Sequence, residues 1–273
     1  MIRFVDNNVN DAKTADIGRQ QRFTDIHCHL LPGLDDGPQT VSESLALCQS
    51  LTEEGIGCVV ATPHQLGRFD GCNDAAKVRD AVSSLSEALK NNGIALKVVP
   101  GAEVRVDERI CKLLEADRIL TLADGGRYIL LELPYEVFID VRPLLSELSC
   151  IGVQAVISHP ERCAPVAALP HMVRRWLENG AHLVITASSL LGDFGPKAKK
   201  AAWYFLSSGW VSLVATDAHD TGRSCPKMKV AFDRISIKLG KDLACLVCIE
   251  NPSRLVSGQD IVRLRPSSQP QAE

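Results

Sequence analysis

The stretch Phe23-Thr-Asp-Ile-His-Cys-His-Leu-Leu-Pro-Gly-Leu-Asp-Asp-Gly-Pro38 decides the fold of this chain. It opens with a short apolar and β-branched run that predicts a strand, continues through polar residues where that strand should end, and closes in a turn rich in Pro and Gly. Residues 40–54 then show helical periodicity, which predicts a helix. Thr40 and Glu43 are spaced as a capping box at its start, and Gly55 ends it. The chain repeats this unit of strand, polar strand end and helix.

Seven short apolar or β-branched runs predict strands, and a stretch of helical periodicity follows each of them. The strands are expected at Phe23–His27, Cys58–Thr62, Ala95–Glu103, Tyr128–Glu132, Val153–Ser158, His182–Thr186 and Val211–Thr216. The helices are expected at 40–54, 74–91, 107–115, 139–150, 169–179, 196–208 and 226–239. This alternation is typical of βαβ units with a parallel sheet, and the number of units favours a closed barrel over an open doubly wound sheet.

Length and composition suit one large α/β domain. The chain has 273 residues, 45% of them hydrophobic and 23% charged, and 30 basic against 33 acidic residues give a net charge of −3. We expect a barrel at 23–265, a flexible extension at 1–22 and a disordered tail at 266–273. The balanced charge offers no basic surface for nucleic acid, and no Gly-rich phosphate loop follows any strand. Neither a membrane-spanning apolar run nor an apolar leader is present, so membrane insertion and secretion are not expected.

The ten cysteines are not expected to carry chemistry. Most lie in apolar segments, and in a chain without an export signal they are predicted to be reduced, buried small hydrophobic residues in the cytoplasm. The C-x-x-C pair Cys245 and Cys248 lacks a second pair at zinc-site spacing and a redox βαβ context. Cys163 follows a polar strand end, but no Cys-x5-Arg loop stands at a strand–helix turn, so a cysteine nucleophile is not expected.

Side chains capable of chemistry are concentrated at the predicted strand ends. The candidates are His27, His29 and Asp36 after strand one, His64 after strand two, Glu103 and Glu132 at the ends of strands three and four, His159 after strand five, and Asp217 and His219 after strand seven. His171 and His182 lie elsewhere and are expected to be structural. In a parallel β/α barrel all strand carboxyl ends open on one face, where active sites form, so these candidates should meet.

Each candidate also has a purely structural interpretation. His27 and His29 lie two apart, so both rings face one side and suit one metal ion, but they could equally be a hydrogen-bonded buried pair. Glu103 and Glu132 could cap helices or pair with arginines, and the others could be turn residues. Gathering four carboxylates and five imidazoles without cations would be costly in repulsion and desolvation, which favours a multinuclear metal site. Imidazole and carboxylate without thiolate suit Mn, Fe or Zn.

The blocks around these residues resemble the polymerase-and-histidinol-phosphatase (PHP) superfamily, and within it the bacterial CpsB/CapC-type tyrosine phosphatases of capsule and exopolysaccharide synthesis. They are Asp25–Pro38, Ala61–His64, Gly101–Glu103, Ser158–Arg162, Ala215–His219 and Glu250–Arg254, and the likeness covers roughly 23–256. The block Leu-Pro-Gly-x-Asp-Asp-Gly-Pro after His-x-His is the most specific. The resemblance implies a distorted, TIM-like (β/α)7 barrel with three metal ions, usually manganese, at the strand carboxyl ends.

Carried over by position, the resemblance implies three groups of ligands. His27, His29, Glu103 and Asp217 would hold one ion, Glu103 would bridge to a second ion bound by Glu132 and His159, and Asp36, His64 and His219 would hold the third. Arg162 and Arg223 stand where the family has phosphate-binding arginines. Gln65 follows His64 where a basic residue or His is frequent, a departure that leaves the substrate preference open.

The resemblance implies a metal-dependent protein-tyrosine phosphatase acting on a tyrosine kinase that controls polysaccharide export. A phenolate leaving group, with a pKa of about 10, needs little protonation, and the absence of an evident general acid favours phosphotyrosine. Other PHP phosphoesterases, such as a histidinol-phosphate phosphatase or a nucleic-acid phosphodiesterase, stay open as alternatives. A non-catalytic scaffold that docks a kinase would have lost ligands, and none is lost. A barrel amidohydrolase commonly has a bridging Lys where Glu132 stands.

Overall fold

The computed structural model describes residues 23–264, which form alternating strands and helices. The strands are β1 (Phe23–Cys28), β2 (Ile56–Ala61), β3 (His64–Gln65), β4 (Lys97–Pro100), β5 (Glu103–Arg105), β6 (Tyr128–Glu132), β7 (Gln154–Ser158), β8 (His182–Thr186) and β9 (Leu213–Ala215). The helices are α1 (Val41–Glu53), α2 (Ala75–Asn91), α3 (Ile110–Glu115), α4 (Arg142–Cys150), α5 (Ala164–Ala168), α6 (Pro170–Glu178), α7 (Ala187–Leu191), α8 (Gly195–Ser207), α9 (Met228–Leu239), α10 (Lys241–Cys245) and α11 (Asn251–Val256). The predicted extension at 1–22 and tail at 266–273 lie outside the described residues.

All paired strands are parallel, in the orders β1-β2-β4 and β3-β5-β6-β7-β8-β9. β2 and β3 occupy one strand position interrupted at Thr62 and Pro63, and β4 and β5 occupy the next, interrupted at Gly101 and Ala102. With these joined, seven strand positions follow one another in chain order. The predicted parallel α/β architecture is therefore confirmed.

The first and last strands meet at the carboxyl end of the array. An isolated parallel bridge pairs Cys28 with Ala218, and the Asp217 amide donates to the His27 carbonyl oxygen over 2.8 Å. Asp25, fully buried, accepts hydrogen bonds from the amide of Thr216 at 3.0 Å and from its hydroxyl. Burial raises the pKa of Asp25 to about 6, against the lowering effect of these bonds. This seam fastens the two segments that carry candidate ligands.

Prolines lie where the strands are interrupted. The predicted third strand, Ala95–Glu103, is two strands, β4 and β5, that separate after Pro100; the predicted second strand, Cys58–Thr62, corresponds to β2, and β3 follows it beyond Pro63, which has no amide for the ladder. The helix predicted at 169–179 is confirmed as α6, and α5 ends before it because Leu169, the residue before a proline, avoids the helical region. The short helices α5 and α7 and the helical stretch from α10 to α11 are additional to the predicted helices. The capping box at Thr40 is confirmed.

The core has two layers, one inside the strand array and one between the strands and the helices. The inner layer takes residues from successive strands, namely Ile26, Val60, Leu130, Val156, Val184 and Leu213. Residues two further along a strand share its face, so Glu132 follows Leu130 and Ser158 follows Val156 at the carboxyl end. The inside of the array is thus apolar at its base and polar at its mouth.

All ten cysteines are free thiols, as predicted, but they are not all buried. Cys28, Cys48, Cys163 and Cys248 lie in the core, whereas Cys72 and Cys150 are exposed. Cys72 lies in a surface turn and Cys150 in the last turn of α4, so the expectation of uniform burial is wrong for these two. Within 23–264, no helix combines the length and apolar character needed to cross a membrane.

Candidate metal centre

The structure brings all nine predicted ligands together at the carboxyl ends of the strands. His27 lies on β1 and His29 and Asp36 in the loop after it, His64 on β3, Glu103 on β5, Glu132 on β6, His159 after β7, and Asp217 and His219 after β9. They fall into overlapping groups of three or four, within which one donor atom of each residue lies within 4.8 Å of the others. This convergence is what the strand-end positions predict.

His27, His29 and Asp217 form one candidate group, and Glu103 lies beside both of its imidazoles; we call these four residues the compact group. His27 Nε2 lies 3.2 Å from His29 Nε2, 3.3 Å from Glu103 Oε2 and 3.2 Å from Asp217 Oδ1. His29 Nε2 lies 3.5 Å from Glu103 Oε2 and 3.4 Å from Asp217 Oδ1. Donors bound at about 2.0–2.2 Å to one tetrahedral ion are about 3.3–3.6 Å apart, so the spacings among His27, His29 and Asp217 suit one ion.

Glu103 is at the centre of the cluster, because both of its carboxylate oxygens have several partners. Its Oε1 accepts from the Ser158 hydroxyl at 2.6 Å and lies 2.9 Å from His159 Nε2. Its Oε2 lies 3.2 Å from His64 Nδ1 as well as close to His27. A carboxylate in this position can serve more than one ion.

The remaining ligands are grouped differently from the arrangement that the resemblance implies. Glu132 lies with His64 and Glu103, its Oε2 being 3.7 Å from His64 Nδ1, whereas His159 lies with His27 and Glu103. Glu132 and His159 were expected to share an ion, and they fall here in separate groups around Glu103. The difference concerns which ions are shared and leaves the set of nine residues unchanged.

Asp36, His64 and His219 form the outer part of the cluster, as the resemblance implies. Asp36 Oδ1 lies 3.4 Å from His64 Nε2 and 3.5 Å from His219 Nε2. His29 joins this group, with its ring stacked on that of His219 at a centroid distance of 4.0 Å. Asp36 and His219 are the more exposed members, so this part of the centre faces the solvent.

Two of the candidate ligands, His159 and Asp217, have a strained backbone conformation. His159 has φ +32° and Asp217 has φ +53°, both in the left-handed region that side chains other than glycine rarely adopt. Such positions cost about 1–3 kcal/mol each and are concentrated at functional sites. The strain sets the directions of the His159 and Asp217 side chains.

In the compact group, the imidazoles and carboxylates stabilise each other's charged forms against the effect of burial. Burial alone would lower the pKa values of His27 and His29, but the neighbouring carboxylates outweigh it, and both pKa values are raised. Burial likewise opposes ionisation of Glu103 and Asp217, yet the His27 imidazole and other cationic groups hold both pKa values well below the ordinary range. The group therefore contains ionised carboxylates that require positive charge beside them, from protonated imidazoles or from metal.

Asp35 is a site residue that the sequence did not single out. Its Oδ2 lies 2.7 Å from His29 Nδ1 and accepts from the His64 amide at 3.0 Å, and its Oδ1 accepts from the Gly37 amide at 3.0 Å. A carboxylate on the far nitrogen of a ligating imidazole is the usual support of a metal site. The adjacent Asp35 and Asp36 have different environments, which the Asp-Asp sequence alone does not distinguish.

The two predicted arginines lie differently. Arg162 pairs with Asp217, donates from Nη2 to the Tyr135 hydroxyl at 2.8 Å, and its guanidinium carbon lies 4.2 Å from the centroid of the Phe194 ring. Arg223 is exposed and lines a cavity of about 70 Å³ that Asp217 also lines. Arg162 is thus already fixed beside the cluster, while Arg223 stands at its edge.

Three further residues considered in the sequence analysis, Gln65, His182 and Cys163, make structural contacts away from the cluster. Gln65 is buried, donates from Nε2 to the Asn73 carbonyl at 2.7 Å and accepts from the Leu120 amide at 2.9 Å, so it does not reach the cluster. His182 is buried against Ser212 and Gln154, away from the cluster. The Cys163 thiol donates to the Pro134 carbonyl at 3.2 Å, and burial raises its pKa, both unfavourable for a nucleophile.

A family model and individual relatives of known function all point to one protein family. The family model described as capsular polysaccharide synthesis, CpsB/CapC, matches residues 23–257. Tyrosine-protein phosphatase YwqE of Bacillus subtilis is 32% identical over 243 residues, which are 89% of this chain and 94% of that protein. Tyrosine-protein phosphatase CpsB of Streptococcus pneumoniae is 30% identical over 242 residues, which are 86% of this chain and 98% of that protein.

A solved structure supports the same assignment. It comes from work on YwqE of Bacillus subtilis and CpsB of Streptococcus pneumoniae, described as unique metal-dependent tyrosine phosphatases. It superposes with a TM-score of 0.85 at 31% sequence identity, covering 90% of this chain and 100% of the other. By the family match and by these relatives, the chain belongs to the CpsB/CapC family of capsular polysaccharide synthesis.

Proposed function

We propose that this chain is a metal-dependent protein-tyrosine phosphatase whose nine clustered ligands hold up to three divalent ions. The observation that carries the proposal is the meeting of nine imidazole and carboxylate groups from six strand positions in one mouth. The names of the relatives, which are tyrosine phosphatases, support the substrate class. The proposal also agrees with the structural support that Asp35 gives to His29.

The donor set fits divalent ions of the manganese, iron and zinc group. Imidazole nitrogen and carboxylate oxygen suit these ions, and no cysteine belongs to the candidate groups in the described part of the chain. We propose manganese as the ion in use, as the family resemblance implies, with iron or zinc as the alternatives. When bound, such ions lower the pKa of water and neutralise phosphoryl oxygens.

The chain's own residues bind and orient the phosphoryl group. Arg162 is held by Asp217 and Tyr135, so its planar guanidinium can donate to phosphoryl oxygens without first being ordered. We propose Arg223, at the edge of the cluster, as a second donor. Tyr135, whose ring stacks on His159 at a centroid distance of 5.6 Å, offers an aromatic face to a phenyl ring. A phenolate departs without a general acid, which agrees with phosphotyrosine as the substrate.

We propose a tyrosine-phosphorylated protein as the partner, and a bacterial tyrosine kinase that regulates capsule or exopolysaccharide synthesis as the specific target. The description of the family as one of capsular polysaccharide synthesis supports this context. The cytoplasm, where such a kinase domain would carry its phosphotyrosines, is the proposed location.

The test compares substrates and variants of the full chain. Purified protein with manganese should hydrolyse a phosphotyrosine peptide in preference to phosphoserine peptide, histidinol phosphate and nucleic-acid ends, and lose that activity in chelator. Glu103→Ala should abolish turnover, since its carboxylate joins the candidate groups, while His171→Ala, a histidine on the exposed side of α6, should leave turnover unchanged. Full activity of Glu103→Ala would overturn the proposal.

A further inference from the structure

A recess beside the metal cluster is lined by two arginines and two aromatic rings. Its walls are Arg68, Phe69, Arg105 and Tyr135, its floor includes His64 and Glu132, and its volume is about 230 Å³. We call it the arginine recess. The two floor residues are candidate metal ligands, so any group held in the recess would lie next to the phosphoryl group under attack.

Arg105 is held in place in the wall of the arginine recess. Its Nε lies 3.2 Å from Glu132 Oε2, and its side chain is about one-third exposed. Its aliphatic stem lies against Gly67, where a Cβ would be only 3.2 Å from Arg105 Cγ. The absence of a side chain at residue 67 thus leaves room for the Arg105 stem along the wall.

Arg68 is placed by a strained turn. Leu66 has φ +64°, a left-handed conformation that is unfavourable for leucine, and it directs the chain so that Arg68 and Phe69 cover the recess. The Phe69 ring stacks on the His64 ring at a centroid distance of 5.4 Å. The Arg68 guanidinium carbon lies 4.7 Å from the centroid of the Phe69 ring. Arg68 also pairs with Asp36 while its side chain is 66% exposed.

The two arginines of the recess differ from their neighbour in the partners they have. Arg109 is paired with Asp70 and Asp107, both at 2.8 Å and neither in the cluster. Arg68 and Arg105 instead face Asp36 and Glu132, which are candidate ligands. When those carboxylates share their charge with a metal ion, the two guanidinium groups keep donors for another anion, since each has five N–H groups.

We propose that the arginine recess binds an anionic group of the substrate next to the phosphotyrosine, either a carboxylate side chain or a second phosphate. The inference rests on the proposed function and adds a preference within it. Arg68 and Arg105 are then specificity-determining residues, and Phe69 and Tyr135 flank the backbone or ring that carries the anion. A substrate that lacks an anionic group beside the phosphotyrosine would make no contact with Arg68 and Arg105 and should bind more weakly.

The test uses three phosphotyrosine peptides that differ only beside the phosphotyrosine, with Glu, Gln or a second phosphotyrosine there. With the manganese-loaded full chain, the Glu peptide should exceed the Gln peptide by about 5–20-fold in kcat/KM, mainly through KM, as expected for hydrogen bonds to a charged group. The preference should fall as ionic strength rises. The second-phosphotyrosine peptide distinguishes phosphate from carboxylate as the better anion.

Variants assign the preference to the recess. Arg68→Gln and Arg105→Gln should each bring the Glu-to-Gln ratio towards one, and Arg109→Gln should leave it unchanged because Arg109 lies outside the recess. The ratio within one variant cancels any general loss of metal or turnover. If the Gln variants lose all turnover, the ratio is measured instead in Arg68→Lys and Arg105→Lys, which keep the positive charge beside Asp36 and Glu132. These Lys variants should lower the Glu-to-Gln ratio by a smaller factor than the Gln variants.

The outcomes separate the two proposals. Equal kcat/KM for all three peptides in the wild type, or a ratio that survives in both arginine variants, would overturn the anion-binding role while phosphotyrosine hydrolysis stands. Failure to hydrolyse any of the peptides with manganese, iron or zinc would overturn the proposed function itself.

Discussion

The Nδ1 atom of His29 lies 2.7 Å from Oδ2 of Asp35, so the opposite nitrogen of the ring, Nε2, faces the compact group of candidate ligands. Asp35 is itself fixed by the amides of Gly37 and His64, both at 3.0 Å. The chain of contacts runs from backbone to carboxylate to imidazole. It explains how a loop residue, His29, can hold a fixed orientation.

Asp35→Asn should weaken metal binding without removing a ligand. An amide cannot supply the negative charge that Asp35 places on the His29 ring, and loss of such a partner typically costs about 10–100-fold in metal affinity. Titration of the chelator-treated protein with manganese measures the change. Asp70→Asn, which alters an exposed carboxylate bonded to Arg109, is the matched control and should bind metal as the wild type does. An unchanged Kd in Asp35→Asn would contradict this role.

Metal affinity should rise as the pH is raised above the ordinary imidazole pKa of about 6.5. In the metal-free protein burial opposes protonation of His27 and His29, but the nearby carboxylates raise both pKa values above the ordinary value of about 6.5, so protons occupy the nitrogens that metal must take. The pKa values of Glu103 and Asp217 are lowered, so these carboxylates stay ionised at these pH values and add no pH dependence. Calorimetric titration in buffers of different ionisation enthalpy should show proton release on binding. Binding that is independent of pH and releases no protons would disprove this competition.

Thiol modification should leave the phosphatase activity intact. Cys72 and Cys150 are exposed and should react first with iodoacetamide, whereas Cys163 is buried with its pKa raised by burial. Mass spectrometry locates the labels, and turnover of a phosphotyrosine peptide is measured on the same sample. Activity that falls in proportion to labelling of Cys163 would instead indicate a cysteine mechanism.

Gly37→Ala should destabilise the protein and disturb His29. A Cβ at residue 37 would lie 2.5 Å from the His29 carbonyl oxygen, which belongs to the backbone and can move only with the loop. Overpacking of this kind costs about 1–3 kcal/mol, measured by urea unfolding in chelator. Gly125→Ala is the matched control, because its nearest contact, Leu122 O at 3.5 Å, is an ordinary one. Equal stability of the two variants would show that the loop relaxes around residue 37.

The convergence of the nine candidate ligands could be predicted because their positions follow from the fold class. Once strands are parallel and alternate with helices, their carboxyl ends share one face, so a polar residue such as Glu132 at a strand end has a defined place. The grouping of ligands could not be predicted, because it depends on the left-handed backbone of His159 and Asp217, which no local pattern indicates.

Several residues beside the cluster were missed for a related reason. Tyr135, Phe69 and Arg105 reach the site through the paths of their loops or, for Arg105, through a short strand that appears only where the predicted third strand breaks. Asp35 and Asp36 are adjacent, and only the turn at Gly37 decides which one supports His29 and which one faces His64. The sequence indicates which residue types meet, and loop geometry assigns their roles.

The decisive test of the proposed metal centre is anomalous diffraction at the manganese absorption edge, from crystals of the full chain grown with manganese. We expect three anomalous peaks within bonding distance of His27, His29, Asp36, His64, Glu103, Glu132, His159, Asp217 and His219, with Glu103 touching more than one peak. Peaks elsewhere, or nine side chains that point apart around an empty mouth in the presence of the metal, would contradict it.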